Sequence, residues 1–386
     1  MDFGWEPEFQ EFRKEVRALV TKHRTPEFLA EQQTPESRGG PLVQAFKDDL
    51  EERGWLRMCW PVEYGGEAKS PMYQFVLIEE LEYWGIPYGM LSVTSIAPSI
   101  MAFGTDKQKK KYLPGIWSGD ISFAIGYTEP EAGTDLASLQ TRAVRDGDDW
   151  VINGQKTFTS EAHVSSHIWL AARTDPDAPK HRGISMFIIP IDTPGVSITP
   201  MWTMSGLRTN QTFYDDVRVP GDALVGEENR GWYILAHALN HERVGLAPTS
   251  GLGRNYDLFV EHLREHCPKQ LKDPAVRSRL AEIKMELNMQ RALATKNAWI
   301  IASGGTPTGE ASMAKVWSSE LRYRMNSLAM DLLGRYGALT RESGDVAPMS
   351  GRLESMYRAS PILRFGGGTN EVQRSIIAQR GLGLPR

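Results

Sequence analysis

Hydrophobic positions in the first third of the chain recur with the spacing of helices. The face predicted for the first helix is formed by residues three or four positions apart, namely Phe9, Phe12, Val16 and Leu19. Similar patterns predict a second helix over Leu42–Arg53 and a third over Met72–Trp84. The N-terminal third of the chain is therefore expected to be helical.

The pattern changes near Gly119. It gives way to short apolar or alternating runs rich in β-branched and aromatic residues: ISFAIGYTEP, AVRDGDDWVING, HIWLAARTD, GISMFIIPI and GVSITPMW. Gly, Asp and Pro separate these runs, which is typical of strands joined by turns, and DGDDWVINGQK is predicted to be a hairpin. Residues from Ile121 to about Val219 are therefore expected to form a compact β domain.

From Gly226 the helical pattern returns and continues to the end, most clearly in MAKVWSSELRYRMNSLAMDLLGRYG. Runs of one element type that do not alternate indicate segregated layers instead of a doubly wound parallel sheet. The fold class is therefore predicted to be α+β. We expect an N-terminal α-helical domain over residues 1–118, a middle β domain over 119–226 and a C-terminal α-helical bundle over 227–386.

Composition narrows the class of protein without identifying it. The 386 residues suggest two or three packed domains. A net charge of −4 gives no basic field for nucleic acid or an acidic membrane. The charged N-terminus is unlike a signal peptide, and no apolar run reaches the roughly 20 residues of a membrane helix. Cys59 and Cys267 lack CxxC or metal-ligand spacing, so a reduced, cytoplasmic protein without a metal site is expected.

One carboxylate interrupts an apolar helical stripe. Leu235, Leu239 and Leu246 share this stripe, and Glu242 falls on it. An ionised glutamate on an apolar face is costly unless it is paired or its pKa rises, and a raised pKa is typical of a general base. From the spacing alone, an ion pair of Glu242, with Arg243 or with a buried partner, is the better-supported interpretation.

Two loops carry groups that could bind an anion or a polar ring. In YTEPEAGTD (Tyr127–Asp135), Thr128 and Thr134 could donate to a phosphate or a ring acceptor, although an ordinary turn explains this segment better. FGGGTNEVQR (Phe365–Arg374) places free backbone N–H groups at a helix start, which suits an oxyanion. A flexible hinge explains the glycine triplet equally well.

Seven segments together resemble the acyl-CoA dehydrogenase family and stand in the family's order. They are WPVEYGG, FGTDKQKKKYLP, YTEPEAGTDLASLQTRA, INGQKTFTS, GLRTNQTFYDDVRVP, ASMAKVWSSE and GGGTNEVQRSIIAQRGLG, and they extend over nearly the whole chain. The resemblance implies an N-terminal helical domain, a middle β-barrel or sandwich domain and a C-terminal four-helix bundle. It also implies FAD as the cofactor and desaturation of an acyl-CoA thioester between Cα and Cβ.

The resemblance also implies which residues bind the flavin. These are Tyr127, Thr128, Thr134, Phe158, Thr159, Ser160, Thr369 and Glu371. Phe158 stands where the family has an aromatic residue that covers the ring. Thr369 and Glu371 belong to the loop that closes over the cofactor.

The position of the catalytic base is a departure from many members of the family. Those members carry a glutamate where this chain has Gly367, whereas another branch places the base on a helix, where NHERVG here has Glu242. The resemblance therefore implies that Glu242 removes the α-proton while the β-hydrogen leaves as a hydride to the flavin. The backbone N–H of Gly367 and a ribityl hydroxyl would bind the thioester oxygen. An electron-transferring flavoprotein would then receive the electrons.

A second departure concerns assembly. Family members usually carry an Arg followed by a Phe-Gly that reaches the FAD of a neighbouring subunit. EHCPKQLKDPAVRSRL lacks this motif, and the family's Gln and Gly-Gly are here replaced by Asp331, Gly334 and Arg335. We therefore expect a heteromer with a sister subunit, an α2β2 tetramer with one FAD per heterodimer. The C-terminal QRGLGLPR resembles actinobacterial dehydrogenases of cholesterol side-chain degradation, which suggests a steroid-CoA substrate. An acyl-CoA oxidase and a non-catalytic scaffold subunit remain alternatives.

Overall fold

Two compact units are formed by segments that interleave along the chain. The computed structural model describes residues 5–32, 40–86, 91–245 and 250–385, and side chains at 240–245 lie outside the description. We call residues 23–68 and 89–242 the sheet unit. Residues 1–22, 69–88 and 243–386 form the helical unit. Since both units are built from separated segments, the domain boundaries expected at residues 118 and 226 stay predictions.

Helices flank a central run of strands. In chain order the helices are α1 Pro7–His23, α2 Pro26–Gln32, α3 Pro41–Glu52, α4 Pro71–Tyr83, α5 Ala97–Phe103, α6 Asp106–Ser118, α7 Gly231–Gly245, α8 Ser250–His266, α9 Pro274–Ala302, α10 Gly309–Leu333, α11 Arg352–Ala359, α12 Ile362–Phe365 and α13 Asn370–Ile376. The strands are β1 Phe123–Gly126, β2 Arg142–Asp146, β3 Asp149–Lys156, β4 His167–Arg173, β5 Ile184–Pro190, β6 Val196–Trp202, β7 Arg208–Pro220 and β8 Leu224–Val225. This order confirms the α+β fold class.

The three helices predicted near the N-terminus are present. α1 buries the predicted face, which consists of Phe9, Phe12, Val16 and Leu19 together with Val20. α3 is followed by Gly54, whose φ of +67° suits a residue without a Cβ. α4 begins behind Ser70, whose hydroxyl accepts a hydrogen bond from the Met72 N–H at 3.3 Å.

The strands form one sheet in the order β6-β7-β3-β2-β4-β5-β8, and β1 pairs in parallel with β4. β2 and β3 form the predicted hairpin, with pairs from Arg142–Asn153 to Asp146–Asp149. One face of the sheet is closed by a core of apolar side chains: Ala143, Trp150, Ile152, Ile168, Leu170, Ala172, Phe187, Ile189, Tyr214, Val217, Val219 and Ala223. The loop after β1 and the segment after β3 leave this rigid sheet close together, because the Thr157 N–H donates to the Thr128 carbonyl at 2.8 Å.

α8, α9 and α10 build the core of the helical unit. Its buried apolar residues include Leu252, Phe259, Leu263, Leu280, Ile283, Leu287, Leu321, Met325 and Leu328. α10 also packs against α11 and α13, so one helix supports much of the C-terminal region. α4 packs on α8 and α9 although it lies far away in sequence.

Ion pairs tie α1 to α4 within the helical unit. Glu79 and Glu80 are buried on α4. Arg13 binds Glu80 at 2.6 Å and Glu79 at 3.1 Å, and Arg17 binds Glu80 at 2.8 Å. Two buried carboxylates are thus compensated by cations from the first helix, as burial of a charge requires.

The described ranges contain no helix that combines the length and the apolar composition needed to cross a membrane. In the same part of the chain, no group of three or more His, Cys, Asp and Glu side chains is arranged to hold a metal ion.

Candidate active site

The loop after β1 carries three of the residues predicted to bind the flavin. Tyr127 is buried, Thr128 is half-buried and Thr134 is exposed. The loop is closed by a pair of backbone hydrogen bonds of 3.1 Å between Glu129 and Ala132. The hydroxyl-bearing residues of this loop therefore stand on a fixed turn instead of a free segment.

The segment after β3 carries three further residues predicted to bind the flavin, Phe158, Thr159 and Ser160, and its backbone is strained at Phe158. Phe158 has a φ of +57°, which is an outlier for a bulky residue, and its side chain is 55% exposed. Thr159 holds this conformation from the inside, because its N–H donates to the Asn210 carbonyl at 2.9 Å and its own carbonyl accepts from Asn210 Nδ2 at 3.0 Å. The surrounding contacts thus keep the phenyl group of Phe158 at the surface.

The two hydroxyls beside Phe158 differ in their surroundings. Thr159 is fully buried and its Oγ1 lies 3.3 Å from Thr212 Oγ1. Ser160 is exposed and its Oγ lies 3.1 Å from Thr209 Oγ1. The Ser160 side chain is therefore accessible to solvent and that of Thr159 is not, and flavin contacts by both residues stay predictions.

These two loops fit a flavin ring. An exposed phenyl face suits a flat aromatic system, and the neighbouring Thr128 and Ser160 supply hydroxyls for its polar edge. Strained backbone conformations such as that of Phe158 are held by the surrounding structure and cluster at ligand-binding sites. The donor set and the aromatic surface are thus both suitable, and they lie within one unit.

A buried ion pair lies beneath both loops. Lys156 Nζ is 2.8 Å from Glu129 Oε1 and donates to the Tyr127 carbonyl at 3.0 Å. Burial lowers the pKa of Lys156 to about 8, against the attraction of Glu129. Burial opposes ionisation of Glu129, but the charge and hydrogen bonds of Lys156, together with the N–H groups of Gln140 and Thr141, lower its pKa overall. The short contact and the additional N–H donors thus fit an ammonium group bound to a carboxylate.

The glycine triplet lies in the helical unit, between α12 and α13. Gly367 and Gly368 have φ of +67° and +93°, a conformation that favours glycine. Lys315 on α10 holds the loop, since its Nζ donates to the Gly368 carbonyl at 2.7 Å and to the Arg364 carbonyl at 3.3 Å. It also donates to Asn370 Oδ1 at 2.9 Å. Hydrogen bonds from α10 thus bind the backbone on either side of Gly367.

Thr369 and Glu371 begin α13. The Thr369 hydroxyl accepts from the Val372 N–H at 3.2 Å and so caps the helix. Glu371 is exposed, and a hydrogen bond from its own backbone N–H, with a smaller effect of Thr369, lowers its pKa. Their contacts with a cofactor stay predictions.

Glu242 lies within α7, but its side chain falls outside the described residues. Of the stripe predicted from the sequence, Leu235 is buried and Leu239 is half-buried, whereas Leu246 lies outside the described residues. The Ser95 hydroxyl donates to the Ala238 carbonyl at 2.8 Å and fixes the turn that leads to Glu242. The role of Glu242 as the base stays a prediction.

The sequence analysis missed three charged residues that contact the candidate segments within their own units: Glu129 and Lys156 in the sheet unit and Lys315 in the helical unit. A signal existed for Lys156, because Trp150 and Ile152 are buried and Lys156 follows them on the same alternate positions of β3. Lys315 lies among buried small residues of α10, including Ala311 and Ala314. A lysine on an inward-facing position was therefore visible in both cases.

Comparison with known proteins gives a consistent result along the chain. Family models match the acyl-CoA dehydrogenase N-terminal domain at residues 6–120, the middle domain at 124–217 and the C-terminal domain at 229–382. Acyl-CoA dehydrogenase FadE26 of Mycobacterium tuberculosis is 41% identical over 403 aligned residues, which cover 100% of this chain and 99% of that protein.

Two solved structures are similar over their full length. The Tcur3481-Tcur3483 steroid ACAD has a TM-score of 0.91 at 41% identity, with 100% of both chains covered. The ChsE4-ChsE5 complex from Mycobacterium tuberculosis has a TM-score of 0.88 at 40% identity, again with 100% of both chains covered. Each of these structures pairs two differently named subunits.

Proposed function

The chain belongs to the acyl-CoA dehydrogenase family, and we propose that it is the catalytic subunit of an FAD-dependent enzyme that desaturates a steroid side-chain CoA thioester between Cα and Cβ. The observation that carries this proposal is the surface of the sheet unit where strained, exposed Phe158 stands beside the hydroxyls of Thr128 and Ser160. A flat, polar-edged aromatic cofactor matches that surface.

FAD would be held by the loop after β1 and the segment after β3, with Phe158 against the ring and Thr128 and Ser160 at its polar edge. Bound FAD would supply the oxidising chemistry by accepting the β-hydrogen as a hydride. The residues of the protein would orient the thioester, exclude water and take the α-proton.

The thioester oxygen would be bound by the N–H of Gly367. A developing enolate gains most from donors that are already fixed, because they need no reorganisation during the reaction. The hydrogen bonds from Lys315 to the Gly368 and Arg364 carbonyls hold the backbone on both sides of Gly367 and support this assignment. The left-handed φ of Gly367 also explains why a glycine suits this position.

Glu242 would be the base that removes the α-proton. Its place in the sequence, on the stripe of α7 that buries Leu235 and Ala238, supports a desolvated carboxylate with a raised affinity for the proton. Gly367 occupies the other position at which family members carry a base, and this also favours Glu242. A scaffold subunit would need neither group.

Substitution Glu242→Gln tests the assignment in the assembled enzyme. We expect kcat to fall by about 10²- to 10⁴-fold, the usual contribution of a general base, with FAD content unchanged. Glu282→Gln, an exposed carboxylate on α9, is the matched control and should leave kcat unchanged. Wild-type turnover by Glu242→Gln would instead favour the scaffold function.

The substrate class rests on the relatives. The Tcur3481-Tcur3483 protein is named a steroid ACAD, and this chain is 41% identical to it along its whole length. A panel of straight-chain acyl-CoA and steroid-CoA thioesters tests the proposal, with electron-transferring flavoprotein or a dye as the acceptor. Higher kcat/KM for a straight-chain acyl-CoA than for every steroid-CoA would contradict it. Turnover with oxygen as the sole acceptor would indicate an oxidase.

A sister subunit is proposed because the helical unit exposes an apolar surface. Met285, Met289 and Trp299 lie on the outward face of α9 and are each more than half exposed. Beside them is an open groove of about 420 Å³, lined by Tyr256, Val260, Arg277, Leu280, Lys284 and Met285. Exposed apolar patches of this kind mark protein–protein contacts. The paired subunits of the Tcur3481-Tcur3483 and ChsE4-ChsE5 proteins support a partner of the same family.

Co-expression with neighbouring dehydrogenase genes tests the assembly. We expect an α2β2 tetramer with one FAD per heterodimer, and we expect Met285→Glu to prevent assembly while Glu282→Gln does not. A homotetramer that binds one FAD per subunit when the chain is expressed alone would rule out the heteromer.

A further inference from the structure

We infer that Lys156 is a positioning residue for the flavin site, because together with Glu129 it fixes the spacing between the two loops that carry the proposed flavin contacts. This inference rests on the proposed function. It adds a residue that touches neither substrate nor cofactor and acts through the backbone of the loop after β1.

The burial of Lys156 is complete. Its side chain is 0% exposed, and that of Glu129 is 7% exposed. Removing an ammonium group and a carboxylate from water costs several kcal/mol for each ion, and their attraction offsets this cost only with good geometry. Replacing a buried ion pair with a well-packed apolar pair of similar volume is often neutral or stabilising. Stability alone therefore does not account for this pair.

The hydrogen bonds of the pair join three separate segments of the sheet unit. Lys156 at the end of β3 donates to the Tyr127 carbonyl and to Glu129, both in the loop after β1. Glu129 in turn accepts from the N–H groups of Gln140 at 2.6 Å and Thr141 at 2.8 Å. One ammonium group thus fixes the loop after β1 against the end of β3 and, through Glu129, against the chain that enters β2.

The proposed flavin contacts lie immediately next to these anchor points. Thr128 stands between Tyr127 and Glu129, the two residues that Lys156 binds, and Phe158 is two residues beyond Lys156. A backbone hydrogen bond of 2.8 Å from the Thr157 N–H to the Thr128 carbonyl also links these two segments. Displacements of about 1 Å in such supports can reduce activity about 10²-fold. The lysine is therefore placed where it sets the distance between the aromatic face and the hydroxyls.

FAD affinity and fold stability, measured separately, test the inference. Lys156→Met should raise the Kd for FAD by about tenfold to a hundredfold, the effect of losing hydrogen bonds from a charged group. The Kd is measured by flavin fluorescence on the deflavinated enzyme. Asp49→Asn is the matched control, since the buried Asp49 carboxylate lies 2.9 Å from His23 Nε2 and 2.7 Å from Arg53 Nε in the same unit. It should lower the melting temperature and leave the Kd unchanged.

The double variant Lys156→Met/Glu129→Gln separates positioning from burial of an unpaired charge. We expect it to recover the melting temperature lost in Lys156→Met, because no ion is left buried, while the Kd for FAD stays raised. A double variant that binds FAD as the wild type does would overturn the inference and leave the proposed function intact. An assembled wild-type enzyme that takes up no FAD would overturn both.

Discussion

In each of the two units a buried lysine holds a loop in place. The two lysines differ in the groups that they bind. Lys156 in the sheet unit contacts a carboxylate directly. Lys315 in the helical unit, 4% exposed, contacts two backbone carbonyls and the side-chain amide of Asn370. Burial lowers the pKa of Lys315 to about 8, and the more distant charges of Glu371 and Glu320 oppose this.

The difference follows from the loops that the lysines hold. The loop after β1 has an acidic side chain, Glu129, through which it can be anchored. The segment around Gly366 and Gly368 has no side chains, so only its carbonyl groups can be bound. A glycine-rich loop that must keep its N–H groups in fixed directions therefore needs a donor that reaches the backbone, and a long lysine side chain provides one.

The largest expected effect is on the stability of the sheet unit. Lys156→Met leaves the Glu129 carboxylate buried without its cation, and this should lower the free energy of unfolding by about 3–5 kcal/mol. Urea unfolding followed by circular dichroism measures the loss. A loss below about 1 kcal/mol would mean that Glu129 takes up a proton in the variant, and the comparison between the two lysines would then fail.

A smaller effect on stability is expected for Lys315→Met. The groups that lose their hydrogen-bond donor are neutral oxygens, so no charged group is left buried without a partner. The free energy of unfolding should fall by about 1–3 kcal/mol. kcat should fall further than FAD affinity, since the backbone beside Gly367 is released while the sheet unit is untouched. Lys296→Met on α9 is the matched control. Lys296 is exposed and forms a long ion pair of 3.7 Å with Glu310, so the substitution should change stability by less than about 0.5 kcal/mol. Equal losses for Lys315→Met and Lys156→Met would show that the partner's charge is unimportant.

The smallest expected effect concerns Glu82, a carboxylate on α4 in the helical unit. Burial raises the pKa of Glu82 to about 7, and the charge of Arg322 only partly opposes this. The folded state therefore keeps a proton that the unfolded state loses above about pH 4.5, so stability should fall as the pH rises from 4.5 to 7. Glu82→Gln should remove this slope and be more stable than the wild type by about 2 kcal/mol at pH 8.

Titration of the unfolding free energy between pH 4 and 8 checks this prediction. Glu80→Gln is an informative contrast, because Arg13 and Arg17 bind Glu80 directly. It should be less stable than the wild type throughout the range. A wild-type profile that rises with pH where Glu82→Gln is flat would contradict the assignment of the slope to Glu82.

Local patterns predicted the fold well, whereas the charged network beside the site depends on distant partners. The face of α1 and the hairpin of β2 and β3 follow from periodicities within a few residues. Burial of Lys156 depends on Glu129, which is 27 residues away in the sequence.

Some features of the site could not be read from periodicity at all. The grouping of α1 with α4 depends on the contact of Arg13 with Glu79, 66 residues apart. The hydrogen bond from Lys315 to the Gly368 carbonyl likewise joins residues 53 positions apart. Family resemblance supplied Glu242, Gly367 and the flavin contacts, and their roles stay predictions.

The conformation of Phe158 has a consequence for any attempt to make this protein more heat-resistant. Glycine adopts a φ of +57° without strain, and the phenyl ring of Phe158 is mostly in water, so little packing is lost when it is removed. A library screened only for survival at high temperature should therefore accumulate glycine at this position. The surviving clones would be more stable proteins that lack the aromatic surface proposed to contact the flavin.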